Sequence, residues 1–215
     1  MNFSIKEVFS LGYRKTLPNF WFLAGIVLVS GLLVGLPQII AGEENAGLVI
    51  SLIAFILGLL IGLGQIKIAL SLADDGRPTW ADLFNNYRLV PYYFIASLLA
   101  GVLIGIGLIL LIIPGVYIGI RLIFFPYFLV DKKVGPIEAI KQSFAITKGE
   151  VWSLLGMILV SIVMSFLGLI ALGVGILFTL PIIMIAWAKT YRALERKLEP
   201  VSAVDHTPMA EVNNA

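Results

Sequence analysis

The sequence predicts an all-α membrane protein whose six transmembrane helices form three hairpins, each preceded by a short cytoplasmic amphipathic helix in the membrane interface. Three observations lead to this fold class. Hydrophobic residues make up 60% of the 215 residues and charged residues only 13%, unlike the composition of a soluble domain. Apolar stretches recur that reach or exceed the roughly 20 residues needed to cross a bilayer. A short amphipathic pattern precedes every second crossing.

The first two transmembrane helices are predicted from two single apolar stretches, and the other four from two blocks that are each too long for one crossing. The stretches cover residues 20–41 and 46–73. The blocks cover residues 91–130 and 151–188. Pro114-Gly115 and the glycine-rich residues 171–175 are typical turn signals, so we expect the blocks to divide there.

The basic residues predict the topology, because lysine and arginine near the ends of spans are retained on the cytoplasmic side. Nearly all of them fall on one side of the predicted helices. The three connections on the other side read GEEN, IIPG and ALGVG and carry no basic residue. The sequence therefore predicts a multi-pass protein of the cell membrane with both termini in the cytoplasm.

An internal repeat relates the segments that precede the first, third and fifth transmembrane helices. They read SIKEVFSLGY from Ser4, TWADLFNNYR from Thr79 and PIEAIKQSFA from Pro136, with apolar residues at matching helical spacings. Capping-box patterns at Ser4 and Thr79, and proline at a first helical position, predict a helix start in each. The preceding stretches LADDGRPTW and LVDKKVGPI also match. A threefold repeat of interfacial amphipathic helix plus hairpin is therefore expected.

Arg121 is the basic residue expected deepest inside a transmembrane helix, within the run GIRLIFFPYFLVD. An arginine at this depth costs about 2.5–3.5 kcal/mol on insertion scales, so it needs a partner, a polar cavity or a path to the interface. One hypothesis makes it a binding site for an anion or a lipid headgroup. The other makes it structural, either reaching the outer interface or bonding backbone carbonyls near Pro114 and Pro126.

Lys67, Asp74 and Asp131 are the remaining candidate functional residues. Lys67 lies in the last turns of the second helix, where snorkelling to the cytoplasmic interface is the alternative to a place in a site. The two aspartates follow helix ends, where capping of the next helix or pairing with Arg77 and Lys132 competes with a functional role. No ligand spacing indicates a metal, and no cofactor is expected.

Motifs and composition also limit the classes of function and partner that the sequence predicts. The chain has no cysteine, its one histidine, His206, lies in a polar tail, and metalloprotease, nucleophile-elbow and phosphate-loop motifs are absent. A basic stripe typical of nucleic-acid binding is absent as well. We therefore expect a non-enzymatic protein whose partners are membrane lipids and not nucleic acid. Four Gly-xxx-Gly motifs, starting at Gly31, Gly58, Gly101 and Gly115, predict close helix packing within the bundle, with a homo-oligomer as the alternative.

Residues 111–156 resemble a known family. The run LIIPGVYIGIRLIFFPYFLVDKKVGPIEAIKQSFAITKGEVWSLLG is similar to the YciC-like bacterial membrane proteins of unknown function and to the membrane domain fused to some glycerophosphodiester phosphodiesterases. The resemblance implies a multi-helix bundle. It implies no catalytic residues, because the phosphodiesterase catalytic domain has no counterpart in this sequence.

The predicted organisation is one integral membrane domain, residues 1–198, followed by a disordered polar tail, residues 199–215. The expected function is that of a non-enzymatic membrane scaffold or a component of envelope homeostasis. The alternative is a small transporter, or a lipid- or anion-binding membrane protein, that uses Arg121.

Overall fold

The computed structural model describes residues 4–40, 46–170 and 174–196, and within these residues the chain is helical and contains no strand. The α-helices are α1 (Ile5–Thr16), α2 (Phe20–Ile40), α3 (Ala46–Ala73), α4 (Val90–Leu110), α5 (Ile112–Arg121), α6 (Phe125–Asp131), α7 (Pro136–Ile146), α8 (Val151–Ile170) and α9 (Ile176–Glu195). Two short 3-10 helices, Trp80–Leu83 and Tyr87–Leu89, lie between α3 and α4. The predicted tail, residues 199–215, and most of the predicted turn at residues 171–175 lie outside the described residues.

The outer surface of the bundle is apolar. Six helical stretches of the described chain are long and apolar enough to cross a membrane, and only 17–39% of each stretch is buried inside the protein. Large side chains such as Ile109, Ile113 and Ile170 are 76–88% exposed. An apolar surface this continuous is unfavourable in water and suits hydrocarbon. The structure therefore fits a membrane protein, as the composition predicted.

The core lies where α3, α6 and α9 meet. Leu70 of α3, Leu129 of α6 and Ala186 of α9 are all buried in one cluster. Tyr191 of α9 is fully buried and contacts the rings of Tyr127 and Phe128 in α6 and of Phe124 just before it. The other long helices flank this core, because α2 packs against α3, α4 against α5, and α8 against α9. The second helix of each predicted hairpin is thus an inner helix.

The three segments predicted as interfacial helices pack against inner helices. A Cβ atom on Gly12 of α1 would lie 2.5 Å from the carbonyl oxygen of Ile182, near the middle of α9. A Cβ atom on Gly64 of α3 would lie 2.2 Å from the carbonyl oxygen of Leu83. Helix α7 packs along α6 and buries Ile140 in a cluster with Ala100 of α4. Protein therefore covers much of the apolar surface that the amphipathic pattern assigned to the membrane interface.

The second of these segments differs most from the prediction, because it forms two 3-10 helices instead of one α-helix. Part of its predicted capping box is present, since the backbone N–H of Thr79 donates to a carboxylate oxygen of Asp82 over 2.7 Å. Asn85 and Asn86 follow the first 3-10 helix, and asparagine disfavours a helix interior because its side chain competes for backbone hydrogen bonds. The pattern at Ser4 forms no side-chain cap.

The block from residue 91 to 130 divides earlier than predicted. The chain turns at Leu111, whose backbone is extended with φ −168° and ψ 152°. Pro114 lies in the first turn of α5, where a helix needs no N–H donor and tolerates proline. Gly115 approaches α4 closely, because a Cβ atom there would lie 2.5 Å from the side chain of Leu108. Pro114-Gly115 is therefore the start of a helix and not the turn.

A second interruption lies at residues 122–124, between α5 and α6. Pro126 is at the start of α6 and has no N–H to donate to the carbonyl group four residues earlier, so the helix cannot continue regularly through this point. Pro37 and Pro181, in contrast, lie within continuous helices. The fourth predicted crossing therefore consists of two shorter helices, with Arg121 as the last residue of the first.

The glycine motifs have a different role from the predicted one. A Cβ atom on Gly31, Gly35, Gly62, Gly101 or Gly105 would meet open space. Gly115 is the motif residue whose Cβ would clash. Glycines outside the motifs also approach other helices or segments closely, including Gly12, Gly25, Gly64, Gly107 and Gly168. Close helix packing in the described bundle therefore depends mainly on glycines outside the motifs.

Candidate functional site

Arg192 of α9 is the centre of the largest charged cluster in the described chain. Its Nε and Nη2 donate to the carboxylate of Asp74 over 2.7–3.1 Å. Its Nη1 and Nη2 donate to both oxygens of Asp131 over 2.7 Å. Nη1 also donates to Glu195 over 2.8 Å. A guanidinium has five N–H donors, and these contacts occupy all five.

The three carboxylates of this cluster come from the ends of the three inner helices. Asp74 directly follows α3, Asp131 ends α6, and Glu195 ends α9. The C-terminus of a helix carries a partial negative charge, so an acidic residue there is unfavourable unless a cation lies nearby. Arg192, with 19% of its side chain exposed, supplies that cation for all three helix ends.

Two further groups complete the cluster. Lys132 forms an ion pair with Glu195 at 2.5 Å, on the side of that carboxylate away from Arg192. The hydroxyl of Tyr191 donates to Asp131 over 3.2 Å. Arg192 and Lys132 therefore neutralise most of the charge of the three carboxylates. The hydrogen bond from Tyr191 connects the cluster to the aromatic core.

Sequence reasoning selected two members of this cluster and missed the central one. Asp74 and Asp131 come together as candidate residues, but their shared partner is Arg192 and not the predicted Arg77. The aligned stretches LADDG and LVDKK placed these two aspartates at equivalent positions, which was the available signal for a common role. Their partner on α9 is more than 60 residues from Asp131, and no local pattern relates the two.

Arg121 belongs to a second, smaller cluster between α5 and α7. Its Nη1 donates to the hydroxyl of Tyr117 over 2.8 Å and its Nε to the hydroxyl of Thr147 over 3.0 Å. Its Nη2 donates to the backbone carbonyl oxygen of Phe144. The guanidinium also lies 5.1 Å from the centroid of the Phe144 ring, a cation–π distance.

The Arg121 cluster satisfies backbone groups at two helix ends. Phe144 is in the last turn of α7, where carbonyl groups have no partner within the helix and a basic side chain can cap them. At the interruption between α5 and α6, the hydroxyl of Ser143 donates to the carbonyl of Arg121 over 2.8 Å and accepts from the N–H of Phe124 over 3.2 Å. These contacts match the structural hypothesis in kind, but the bonded carbonyl is on α7 and not near Pro114 or Pro126.

Lys67 is in neither cluster. Its side chain is exposed on α3. The neighbouring Gln65 turns inward and donates to the hydroxyl of Ser30 on α2 over 3.0 Å. In the part of the chain that the structure describes, no group of three acidic or histidine side chains is placed to hold a metal ion.

Family comparison adds to this geometry. The model of a family described as a protein of unknown function, DUF975, matches residues 46–197, which is well over half of the chain. The chain belongs to DUF975. The DUF975 match spans α3 to α9 and so contains both arginine clusters, whereas α1 and α2 precede it. No curated protein and no solved structure matches the chain. The DUF975 description mentions neither YciC-like proteins nor a phosphodiesterase, so that resemblance stays a prediction.

Proposed function

We propose that this DUF975 protein is a non-enzymatic integral membrane protein of the cell membrane that acts as a membrane-embedded scaffold, with a role in envelope homeostasis. The observation that carries the proposal is the saturation of Arg192, because its five N–H donors are all bound to carboxylates at the ends of the three inner helices. A catalytic or transport site needs polar groups that are available to a substrate. This cluster instead fixes helices relative to one another.

The proposed architecture is six transmembrane helices in three hairpins, built as a threefold repeat. Each short segment packs on the second helix of the preceding hairpin, since Trp80–Leu83 contacts α3 and α7 contacts α6. The first segment, α1, contacts α9, the second helix of the last hairpin. The order is therefore cyclic, and each repeat also contributes one carboxylate to Arg192.

The proposed topology has both termini in the cytoplasm. The Arg192 cluster and the ion pair between Lys15 and Asp75 lie at the same ends of the inner helices as most of the basic residues. This end of the bundle is therefore assigned to the cytoplasmic side.

Cysteine accessibility near Arg121 tests the scaffold against a water-filled path, and the chain has no native cysteine to interfere. Arg121→Cys probes the position itself, and Thr147→Cys probes the opposite wall while leaving Arg121 in place. Ile120→Cys and Leu122→Cys are buried controls. A membrane-impermeant thiol reagent should label none of the four from either side of sealed vesicles. Labelling at 121 and 147 with silent controls would show a water-filled path and reject the scaffold.

A lipid- or anion-binding protein, including a small transporter, is the alternative, and one feature of Arg121 favours it. The three hydrogen bonds of Arg121 leave two of its five N–H donors available, and its neighbour Tyr117 is 45% exposed. In that case, added anion or anionic lipid should protect the labelled position 147 from the thiol reagent, and Arg121→Gln should abolish the protection. Protection that persists in Arg121→Gln would reject Arg121 as the binding group.

A further inference from the structure

A polar pocket of about 690 Å³ lies against α1, apart from both arginine clusters. Its walls come from one side of α1, from the turn between α1 and α2, and from the turn after α3. Lys6, Ser10 and Arg14 line it at intervals of four residues and so share one face of the helix. Glu7 and Asp75 also line it, which gives the pocket charges of both signs.

The charges of this pocket divide into a paired set and an available set. Lys15 and Asp75 form an ion pair with each other. The hydrogen bond from Lys15 and its positive charge hold the pKa of Asp75 below the usual range, so this pair stays ionised at neutral pH. Lys6, Arg14 and Glu7 are exposed and form no ion pair within the described residues. Two cations and one carboxylate therefore remain for a ligand.

The surroundings of the pocket are typical of a membrane interface. Trp21, at the start of α2, is 86% exposed, and Tyr13 and Leu17 are each nearly half exposed. Exposed tryptophan and tyrosine at the end of an apolar helix mark the level of the lipid headgroups. Phospholipid headgroups are therefore the ligands present at the highest local concentration beside this pocket.

We propose that this pocket binds the headgroup of a phospholipid that carries both a phosphate and a primary ammonium, as phosphatidylethanolamine does. Arg14 and Lys6 donate to the phosphate, and Glu7 accepts from the ammonium. A purely anionic headgroup leaves Glu7 without a partner and repels it. A quaternary ammonium has no N–H to donate. The site is distinct from Arg121 and goes beyond the scaffold function, so either proposal can fail without the other.

Native mass spectrometry of the delipidated full-length protein in detergent tests the proposal. The probes are phosphatidylethanolamine, phosphatidylcholine and phosphatidylglycerol with identical acyl chains. We expect the wild-type protein to retain phosphatidylethanolamine about fivefold better than either other lipid, the ratio that one exposed ion pair of about 1 kcal/mol provides. Equal retention of the three lipids would overturn the proposal.

Two variants and a matched control assign the binding groups. Arg14→Gln should lower the retention of phosphatidylethanolamine about fivefold, and Glu7→Gln should remove its advantage over phosphatidylglycerol. Lys141→Gln, at an exposed position of α7 outside the pocket, should change neither. A loss in Lys141→Gln as large as in Arg14→Gln would reject the site. Displacement of the lipid by excess inorganic phosphate would show a plain anion site and also overturn the proposal. All three positions are exposed, so unchanged melting temperatures verify folding.

Discussion

At the scale of single residues, the arrangement around Arg192 places one guanidinium between three carboxylates. Arg192 is 19% exposed and Glu195 only 9%, so water screens their charges weakly. Removal of one partner from such a pair is far more costly than its formation is favourable, because the remaining charges stay desolvated and unpaired. Loss of Arg192 would therefore leave the acidic ends of α3, α6 and α9 without their shared cation.

Arg192→Gln should therefore destabilise the protein by about 3 kcal/mol, because three carboxylates then face one another at helix C-termini. The measurement is thermal or chemical unfolding of the detergent-purified protein. Arg77→Gln is the control, because Arg77 is exposed and forms no ion pair in the described part of the chain. Asp74→Asn in the Arg192→Gln background should recover part of the loss by removing one of the repelling charges. Equal stability of Arg192→Gln and Arg77→Gln would contradict this account.

The Lys15–Asp75 pair predicts a pH dependence at the same scale. The folded state lowers the pKa of Asp75, so the unfolded chain binds the proton more readily and the pair stabilises the protein above the ordinary pKa of 3.8. This stabilisation is lost as the pH falls through the lowered pKa. Wild-type and Asp75→Asn unfolding curves should differ at neutral pH and converge well below pH 4. High salt should reduce the difference, because Asp75 is exposed. Curves that stay apart at low pH would show that another interaction is responsible.

At the scale of elements, the bundle depends on short segments that meet interrupted or glycine-containing helices. Helix α7 meets the interruption between α5 and α6, where Ser143 bonds both a carbonyl and an N–H. The segment Trp80–Leu83 meets α3 at Gly64, and Trp80 also contacts Gly25 of α2. At Gly64 and Gly25 the neighbouring segment approaches the helix closely because glycine has no side chain. At the interruption, α7 approaches closely because the Ser143 hydroxyl bonds the backbone groups left without a helical partner.

Ser143→Ala should destabilise the protein by about 1–3 kcal/mol, because the carbonyl of Arg121 and the N–H of Phe124 both lose a fully buried partner. Ser51→Ala is the matched control, since within the described residues the Ser51 hydroxyl makes no hydrogen bond. Unfolding in detergent measures both variants. The account of the interruption fails if the two substitutions have the same effect.

Gly64→Ala should cost about 1–3 kcal/mol, because the new Cβ atom would overlap the carbonyl of Leu83 and push the 3-10 segment outward. Gly62→Ala, two residues earlier on the same helix, meets open space and should be neutral or stabilising by up to about 1 kcal/mol through its better helix propensity. A change in the fluorescence of Trp80, which begins this segment, would report its displacement. A neutral Gly64→Ala would mean that the segment does not pack on α3.

At the scale of the whole molecule, the sequence predicted what depends on composition and length, and missed what depends on distant contacts. The six apolar stretches could be predicted because polar side chains are costly in hydrocarbon. Their scarcity over a long stretch is visible in any local window of the sequence. The turn at Leu111 and the role of Pro114 could not be predicted, because Leu111 has no turn signal and the approach of Gly115 to α4 is tertiary. Arg192 was missed because its partners, Asp74 and Asp131, come from other helices. Arg121 could be predicted as a candidate from the free-energy cost of an arginine in hydrocarbon alone. Its bonding partner on α7, Phe144, could not be predicted.

The whole-molecule prediction concerns topology. Single cysteines at Glu7, Asp75 and Lys148 should react with an impermeant thiol reagent from the cytoplasmic side of oriented vesicles, and cysteines at Ile112 and Val174 from the opposite side. All five positions are exposed, so a failure to react does not come from burial within the protein. Reaction of Glu7 and Asp75 on opposite sides would reject the paired arrangement of the helices and the cytoplasmic termini together.

The contact between α1 and α9 has a consequence for biosynthesis. During translation α1 leaves the ribosome before α9, which emerges about 160 residues later, at roughly 5–20 residues per second. For on the order of ten seconds or more, Gly12 of α1 is therefore without the backbone of Ile182, against which it packs in the folded protein. Helix α1 therefore completes its packing only after α9 has been made.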